Sequence, residues 1–186
     1  AIFNIATHEV IKARTSNGMK TEVSKVNEIN AAAAFGRQAP IFDQQYGVDK
    51  MINYKRERVR DVVMQVAQPG MHMLELNGGT GEVAMFFAQQ ELRVHVTDVS
   101  PGMLTQLKHK TIDISWITSE CCSYTDLQQL QDQGPYDIVF SNFAGLNCSN
   151  NLEMVFSQFD SLLKPGGRVV LVVLPGFCLW ELLLIF

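Results

Sequence analysis

Residues 74–81 read Leu-Glu-Leu-Asn-Gly-Gly-Thr-Gly, a carboxylate followed by a run of nearly bare backbone. Gly78, Gly79 and Gly81 remove side chains where a ligand would approach, and Asn77 is a non-glycine type that tolerates positive φ. A turn of this kind opening a helix presents unpaired N–H groups to whatever lies above it. Asp98 follows about 20 residues later, where an acid accepts hydrogen bonds from both hydroxyls of a ribose. A glycine corner alone has an ordinary steric explanation. Joined to Glu75 and Asp98, it points to a nucleoside-containing cofactor.

Holding these groups together takes a particular set of elements. Residues 71–76 form a short apolar run after Pro69-Gly70, which predicts a buried strand, and 82–90 resume at helical spacing with Val83, Phe86 and Phe87. Residues 92–97 alternate as a second strand ending at Asp98, and a helix over 101–109 is capped by Ser100 with Pro101 at its first position. A strand at 114–118, a short helix near 125–132, a strand at 136–141, a helix at 151–163 and a strand at 168–174 follow. This alternation predicts a parallel sheet with helices on both faces. Upstream, 23–35 reads as a helix stopped by Gly36, and 48–67 as a long amphipathic helix. Residues 1–18 lack periodicity and read as a flexible leader, with Met19 a plausible native start. The organisation expected is therefore leader (1–18), N-terminal helices and lid (19–67), and cofactor-binding domain (68–186).

Two cofactors compete for the corner. Gly79-Thr80-Gly81-Glu82-Val83-Ala84 matches the dinucleotide fingerprint, which keeps an NAD-dependent oxidoreductase in view. Glu75 within the strand suits a cationic amino group and would repel a pyrophosphate. Asp98-Val99-Ser100-Pro101-Gly102-Met103-Leu104 follows the second strand, and Leu162-Leu163-Lys164-Pro165-Gly166-Gly167 precedes the last. With these motifs, from about Ala34 to Leu174, the chain resembles the class I S-adenosylmethionine-dependent methyltransferases. It departs from their first motif at Asn77, which stands where a glycine is usual.

The resemblance implies a Rossmann-like, doubly wound α/β fold and S-adenosyl-L-methionine as cofactor. Glu75 would hold the methionine ammonium, and Asn77, Gly78, Gly79 and Gly81 would give backbone contacts. Asp98 would bind the ribose, with Val99 and Met103 sandwiching the adenine. Glu120 would reach the adenine amino group, beside a backbone N–H from Cys121. Asn142 and Phe143 would lie at the carboxyl edge of the fourth strand. Residues 37–46 resemble the lid of small-molecule members, in which Tyr46 would reach the methionine carboxylate or staple the lid to the core. No residue presents itself as a general base. The family's fold ends with two further strands for which little chain remains here. That implies a fragment, or strands supplied from elsewhere, and an uncovered sheet edge prone to self-association.

Composition narrows the function. A formal net charge of −4 argues against a nucleic-acid footprint, and the run Lys55-Arg56-Glu57-Arg58 with Arg60 reads as a solvated helix face. Cys121, Cys122, Cys148 and Cys178, and the four scattered histidines, have no metal-ligand spacing, so no metal is expected and reduced thiols suggest a cytoplasmic protein. The apolar stretch 169–186 is broken by Pro175-Gly176 and Glu181, predicting a strand and a buried helix rather than a membrane span. Its Phe177 and Trp180 hint at an apolar acceptor as readily as at core packing. The expected function is methyl transfer to a small-molecule acceptor, the alternatives being a cofactor-binding domain without transfer and the oxidoreductase.

Overall fold

The computed structural model describes residues 5–6, 18–142, 145–149 and 151–173. Six strands form one sheet: β1 (Ile5–Ala6), β2 (His72–Leu76), β3 (Arg93–Asp98), β4 (Ile117–Cys121), β5 (Tyr136–Ser141) and β6 (Leu163–Leu171). Their order is β1-β6-β5-β2-β3-β4, with β2 to β6 mutually parallel and β1 antiparallel to β6. Strand order reverses between β2 and β5, so a crevice opens at their carboxyl ends.

Alternation along the strands divides the core in two. On one face Met73, Val94, Val96, Ile138 and Phe140 pack on Val59 and Val63 of α2 (Lys50–Met64), Val83 and Phe87 of α3 (Glu82–Gln89) and Leu107 of α4 (Pro101–Lys110). On the other, Leu74, Leu76 and Val139 meet Leu127 and Leu130 of a 3₁₀ segment, Val155 of α5 (Leu152–Phe156) and Phe159 and Leu162 of α6 (Phe159–Leu162). Right-handed crossovers running in opposite directions from β2 put their helices on opposite faces. The helix starts follow local chemistry. Asp49 Oδ1 accepts from Met51 N and Ile52 N to open α2, and Ser100 Oγ accepts from Met103 N to open α4, with Pro101 leading.

Several elements differ from expectation. The strand read at 114–118 lies at Ile117–Cys121, because two turns (Ile114 N to Thr111 O, Ile117 N to Ile114 O) consume the residues after α4. Ile112 and Trp116 are left outward although they alternate with Ile114 like a strand. The helix read at 151–163 is two short helices, interrupted where buried Gln158 turns to accept from Leu127 N at 2.7 Å. β6 begins at Leu163, paired with Tyr136, and its register slips before Arg168 pairs with Ile138. Within that slip Gly166 has φ 80°. Ile5 and Ala6, inside the expected leader, pair with Val170 and Val169, so the β6 edge expected to be bare carries a short strand there. Among the described residues no strand follows β6.

The largest departure is α1 (Gly18–Tyr46), which runs through both Gly36 and Pro40. Gly36 is no stop. A Cβ on Gly102 would sit 2.9 Å from Gly36 O and 3.1 Å from its Cα, so two glycines let α1 cross the start of α4 in backbone contact. The crossing holds α1 above the carboxyl edge of the sheet. Replacing Gly102 with Val should force the helices apart, at about 1–3 kcal/mol, the usual cost of overpacking. Urea unfolding would read this as a lower midpoint with unchanged slope, and an unaltered midpoint would contradict the contact.

Candidate functional site

Glu75 and Asn77 from β2, Asp98 and Val99 from β3, and Asn142 after β5 meet under α1 around a cavity of about 970 Å³, its open mouth included. Glu28, Ala31, Ala32, Phe35 and Phe42 of α1 form its roof, and Arg56 of α2 lines one wall.

The corner after β2 is built by backbone geometry. Asn77 has φ 55°, Gly79 58° and Gly81 80°, so the expected tolerance of Asn77 is used. The glycines serve different ends. A Cβ on Gly78 would lie 2.3 Å from Val96 Cγ1, and one on Gly81 2.9 Å from Leu107 Cγ, so both are required by packing. Gly79 alone of the three has nothing within 4 Å of that position, and it borders the cavity with bare backbone. Its N–H donates to Asp98 Oδ2 at 2.9 Å, while Ser100 N donates to Asp98 Oδ1 at 2.8 Å. A carboxylate has about four lone-pair directions, so each oxygen keeps acceptor capacity for a ligand. Burial pushes the Asp98 pKa up, and these backbone hydrogen bonds pull it back.

Glu75 is 2% exposed, lines the cavity, and its Oε2 has no hydrogen-bond partner. Burial raises its pKa to about 8, with Arg60 lowering it and Asp98 raising it further. Asn77 Nδ2 is likewise buried without a partner. An acid and an amide in this condition mark a candidate binding site. Val99 and Met103 line the cavity beside Asp98, and Asn142 lines it at the end of β5.

Other predicted residues fall elsewhere. Tyr46 is not among the lining residues: its ring packs on Phe42, one turn earlier in the same helix, at 4.6 Å. Glu120 pairs with Thr97 across the sheet and its Oε1 lies 3.9 Å from His95 Nε2, away from the cavity. Cys121 is exposed, its Sγ directed at Val99 O, and also lies off the cavity wall. Phe143, like Phe177 and Trp180, lies outside the described residues.

Arg56, Glu28, Thr80, Tyr124 and Cys148 line the cavity and were not anticipated. Arg56 is buried, not part of a solvated face, and its Nη1 donates to Asn53 Oδ1 at 3.0 Å and Tyr46 O at 3.4 Å. Burial lowers its pKa, against which the nearby Glu82 charge works. Its neighbour Arg60 stacks on Phe86 at 4.4 Å and donates to Glu82 O. The missed signal was spacing: Arg56, Val59 and Val63 share one helical face, and so do Glu28, Ala32, Phe35, Ala39 and Phe42. Thr80 Oγ1 donates to Asp43 Oδ1 at 2.5 Å, and Lys110 Nζ to Asp43 Oδ2 at 2.6 Å, tying α1 to the glycine turn and α4. Among the described residues no group of three or more His, Cys, Asp or Glu is placed to hold a metal.

A family model described as a methyltransferase domain matches residues 74–169, from Glu75's strand through β6. The chain belongs to this methyltransferase domain family. The fold is accordingly the Rossmann-like one of class I methyltransferases, and the NAD alternative loses its ground. Among curated relatives, a demethylmenaquinone methyltransferase from Renibacterium salmoninarum is 30% identical over 75% of this chain and 56% of its own. A malonyl-[acyl-carrier protein] O-methyltransferase from Hamiltonella defensa is 25% identical over 86% of this chain and 58% of its own. Among solved structures, the CcbJ methyltransferase from Streptomyces caelestis superposes with a TM-score of 0.52 at 26% identity, covering 63% of this chain and 47% of that one. The chain spans about half the length of the curated relatives it matches. Among the described residues no helix is long and apolar enough to cross a membrane.

The Glu75 environment fixes a pH response of the unliganded protein. A carboxyl whose pKa rises from 4.5 to about 8 on folding binds a proton more tightly in the native state. That contribution to stability is complete below pH 4.5 and is lost as pH climbs through 8, and Asp98 acts in the same direction. The urea midpoint should therefore fall between pH 6 and about 8, and the fall should be reduced in Glu75→Gln. Equal pH dependence in both proteins would contradict the buried, neutral carboxyl.

Proposed function

We propose that this protein is a methyltransferase that binds S-adenosyl-L-methionine in the cavity and transfers its methyl group to a small-molecule acceptor. The observation that carries the reading is Glu75: a fully buried carboxyl with an orphan oxygen, between the bare backbone of Gly79 and the ribose-competent Asp98. The residues present fit the cofactor. Glu75 receives its ammonium, Gly79 lets the chain pass over bare peptide, and Asp98 accepts from the two ribose hydroxyls. Asn77 and Asn142 add amide contacts, and Gly78 and Gly81 act by shaping the turn. Val99 and Met103 hold the base. Arg56, rather than Tyr46, is the cation on this wall suited to the carboxylate of the methionine portion.

When bound, the cofactor supplies a methyl group already activated by the positive sulfur. The chain's own work is then orientation and exclusion of water. The roof of α1 shields the cavity, and the Asp43–Thr80 and Asp43–Lys110 contacts hold it down over the glycine turn. The named substrates of the relatives, a demethylated menaquinone and a malonyl thioester carrier, support a small organic acceptor. Free thiols at Cys121, Cys122 and Cys148 fit a cytoplasmic setting.

Two measurements test this. Calorimetry should detect S-adenosylhomocysteine binding to the chain and no binding of NADH. Asp98→Ala, with its circular dichroism unchanged, should lose roughly 100-fold in affinity, as two hydrogen bonds to a charged acceptor disappear. Retained affinity would refute the ribose role. Because Glu75 must ionise to meet an ammonium, binding releases a proton. Affinity should strengthen by up to about tenfold per unit from pH 6 to about 7.5, and Glu75→Gln should flatten the slope. Methyl transfer is read separately with a labelled donor and an acceptor panel. Binding without turnover across quinol, phenol and carboxylic acid acceptors would leave a cofactor-binding domain.

A further inference from the structure

A nucleoside tethered through its ribose at Asp98 has little freedom in where its base can lie. The hydroxyls are on C2′ and C3′ and the base on C1′, so the base falls within a few ångströms of the same carboxylate. The amino-acid end runs toward Glu75 and the glycine turn. The base must run the other way, across Val99 and Met103. There the cavity borders a second cleft that shares Glu28, Ala32 and Val99 with it and adds Ser123, Thr125 and Asp126.

An acid after β4 was expected to meet the amino group of the base. The register of β4 removes Glu120 from that place and sets it beside His95, lining neither the cavity nor the cleft. Another acid lines both. Glu28 of α1 is 4% exposed, and its Oε2 accepts from Ser123 Oγ at 2.5 Å. Ser123 Oγ in turn accepts from Thr125 N at 3.0 Å and lies 2.6 Å from Thr125 Oγ1. The loop after β4 thus does not itself present a carboxylate; it positions one donated by the roof helix. Ser123 thereby fixes one oxygen of a deeply buried acid on the wall that cavity and cleft share.

We infer that Glu28 reads the exocyclic amino group of the cofactor's purine, as a specificity-determining residue supplied by α1 and positioned by Ser123. A carboxylate only accepts hydrogen bonds, so it rewards a base bearing an amino group at C6 over one that lacks it. Because the contact comes from the roof, covering the cleft and recognising the base fall to the same helix.

The inference rests on the cofactor reading above, and one experiment separates the two. Calorimetry on the full chain compares S-adenosylhomocysteine with its 6-deamino analogue, whose purine carries only hydrogen at C6. The wild-type chain should prefer the amino ligand about tenfold or more, the scale of a hydrogen bond to a charged group. Glu28→Met keeps the volume and removes the acceptor, so the preference should shrink to within about twofold. Glu28→Gln keeps one uncharged acceptor oxygen and should fall between; it also serves if the Met variant does not fold. Glu120→Gln should keep the wild-type preference. No preference in the wild-type chain, an unchanged preference in the Glu28 variants, or its loss in Glu120→Gln overturns the inference and leaves the cofactor reading standing. Failure of the wild-type chain to bind either ligand overturns both.

Discussion

Asp98 sits at the end of β3 and accepts at once from Gly79 N, in the turn after β2, and from Ser100 N, at the start of α4. One carboxylate therefore joins two neighbouring strand ends and a helix start, and the cavity is arranged around that joint. Gly79 can adopt φ 58° with its N–H turned inward because an acceptor is waiting for it. Ser100 is held where its own hydroxyl caps α4, which in turn presents Gly102 to the crossing with α1. Roof, floor and wall are coupled through this short chain of contacts. The carboxylate carries this while keeping lone pairs for a ligand, so positioning and binding fall to the same group.

Glu75 complements it by being left incomplete. The strand that carries it buries Met73, Leu74 and Leu76 entirely, and its neighbours gain from that burial while the carboxyl does not. Its orphan oxygen and raised pKa are costs that the unliganded fold bears at neutral pH. Such a local departure from the rules of burial is what functional sites characteristically show. The two outer glycines, by contrast, are explained without any ligand, since Val96 and Leu107 fill the space a side chain would need.

Legibility in the sequence tracked how local the determining interactions were. From β2 to α4 the elements follow chain punctuation, namely Pro69-Gly70, the glycine turn, Ser100-Pro101, and fall within a residue of expectation. β4 was displaced because Ile112, Ile114 and Trp116 alternate as a strand would, while turn hydrogen bonds and the pairing with β3 set the real boundary. That displacement took Glu120 off the cavity. Gly36 looked like a stop, and it instead makes a helix crossing that one element's pattern cannot announce. Arg56 was hidden among charges, although its alignment with Val59 and Val63 marked the face that turns inward.

The fastening of α1 has a dynamic corollary. Asp43 and Lys110 are partly open to solvent, with side-chain exposures of 42% and 26%, whereas the sheet below is stitched by buried aliphatic and aromatic groups. Counter-ions loosen the first kind of contact and scarcely touch the second. Ionic strength thus acts selectively, weakening the Asp43 fastening of the covering helix while the glycine crossing and the platform beneath keep their hold.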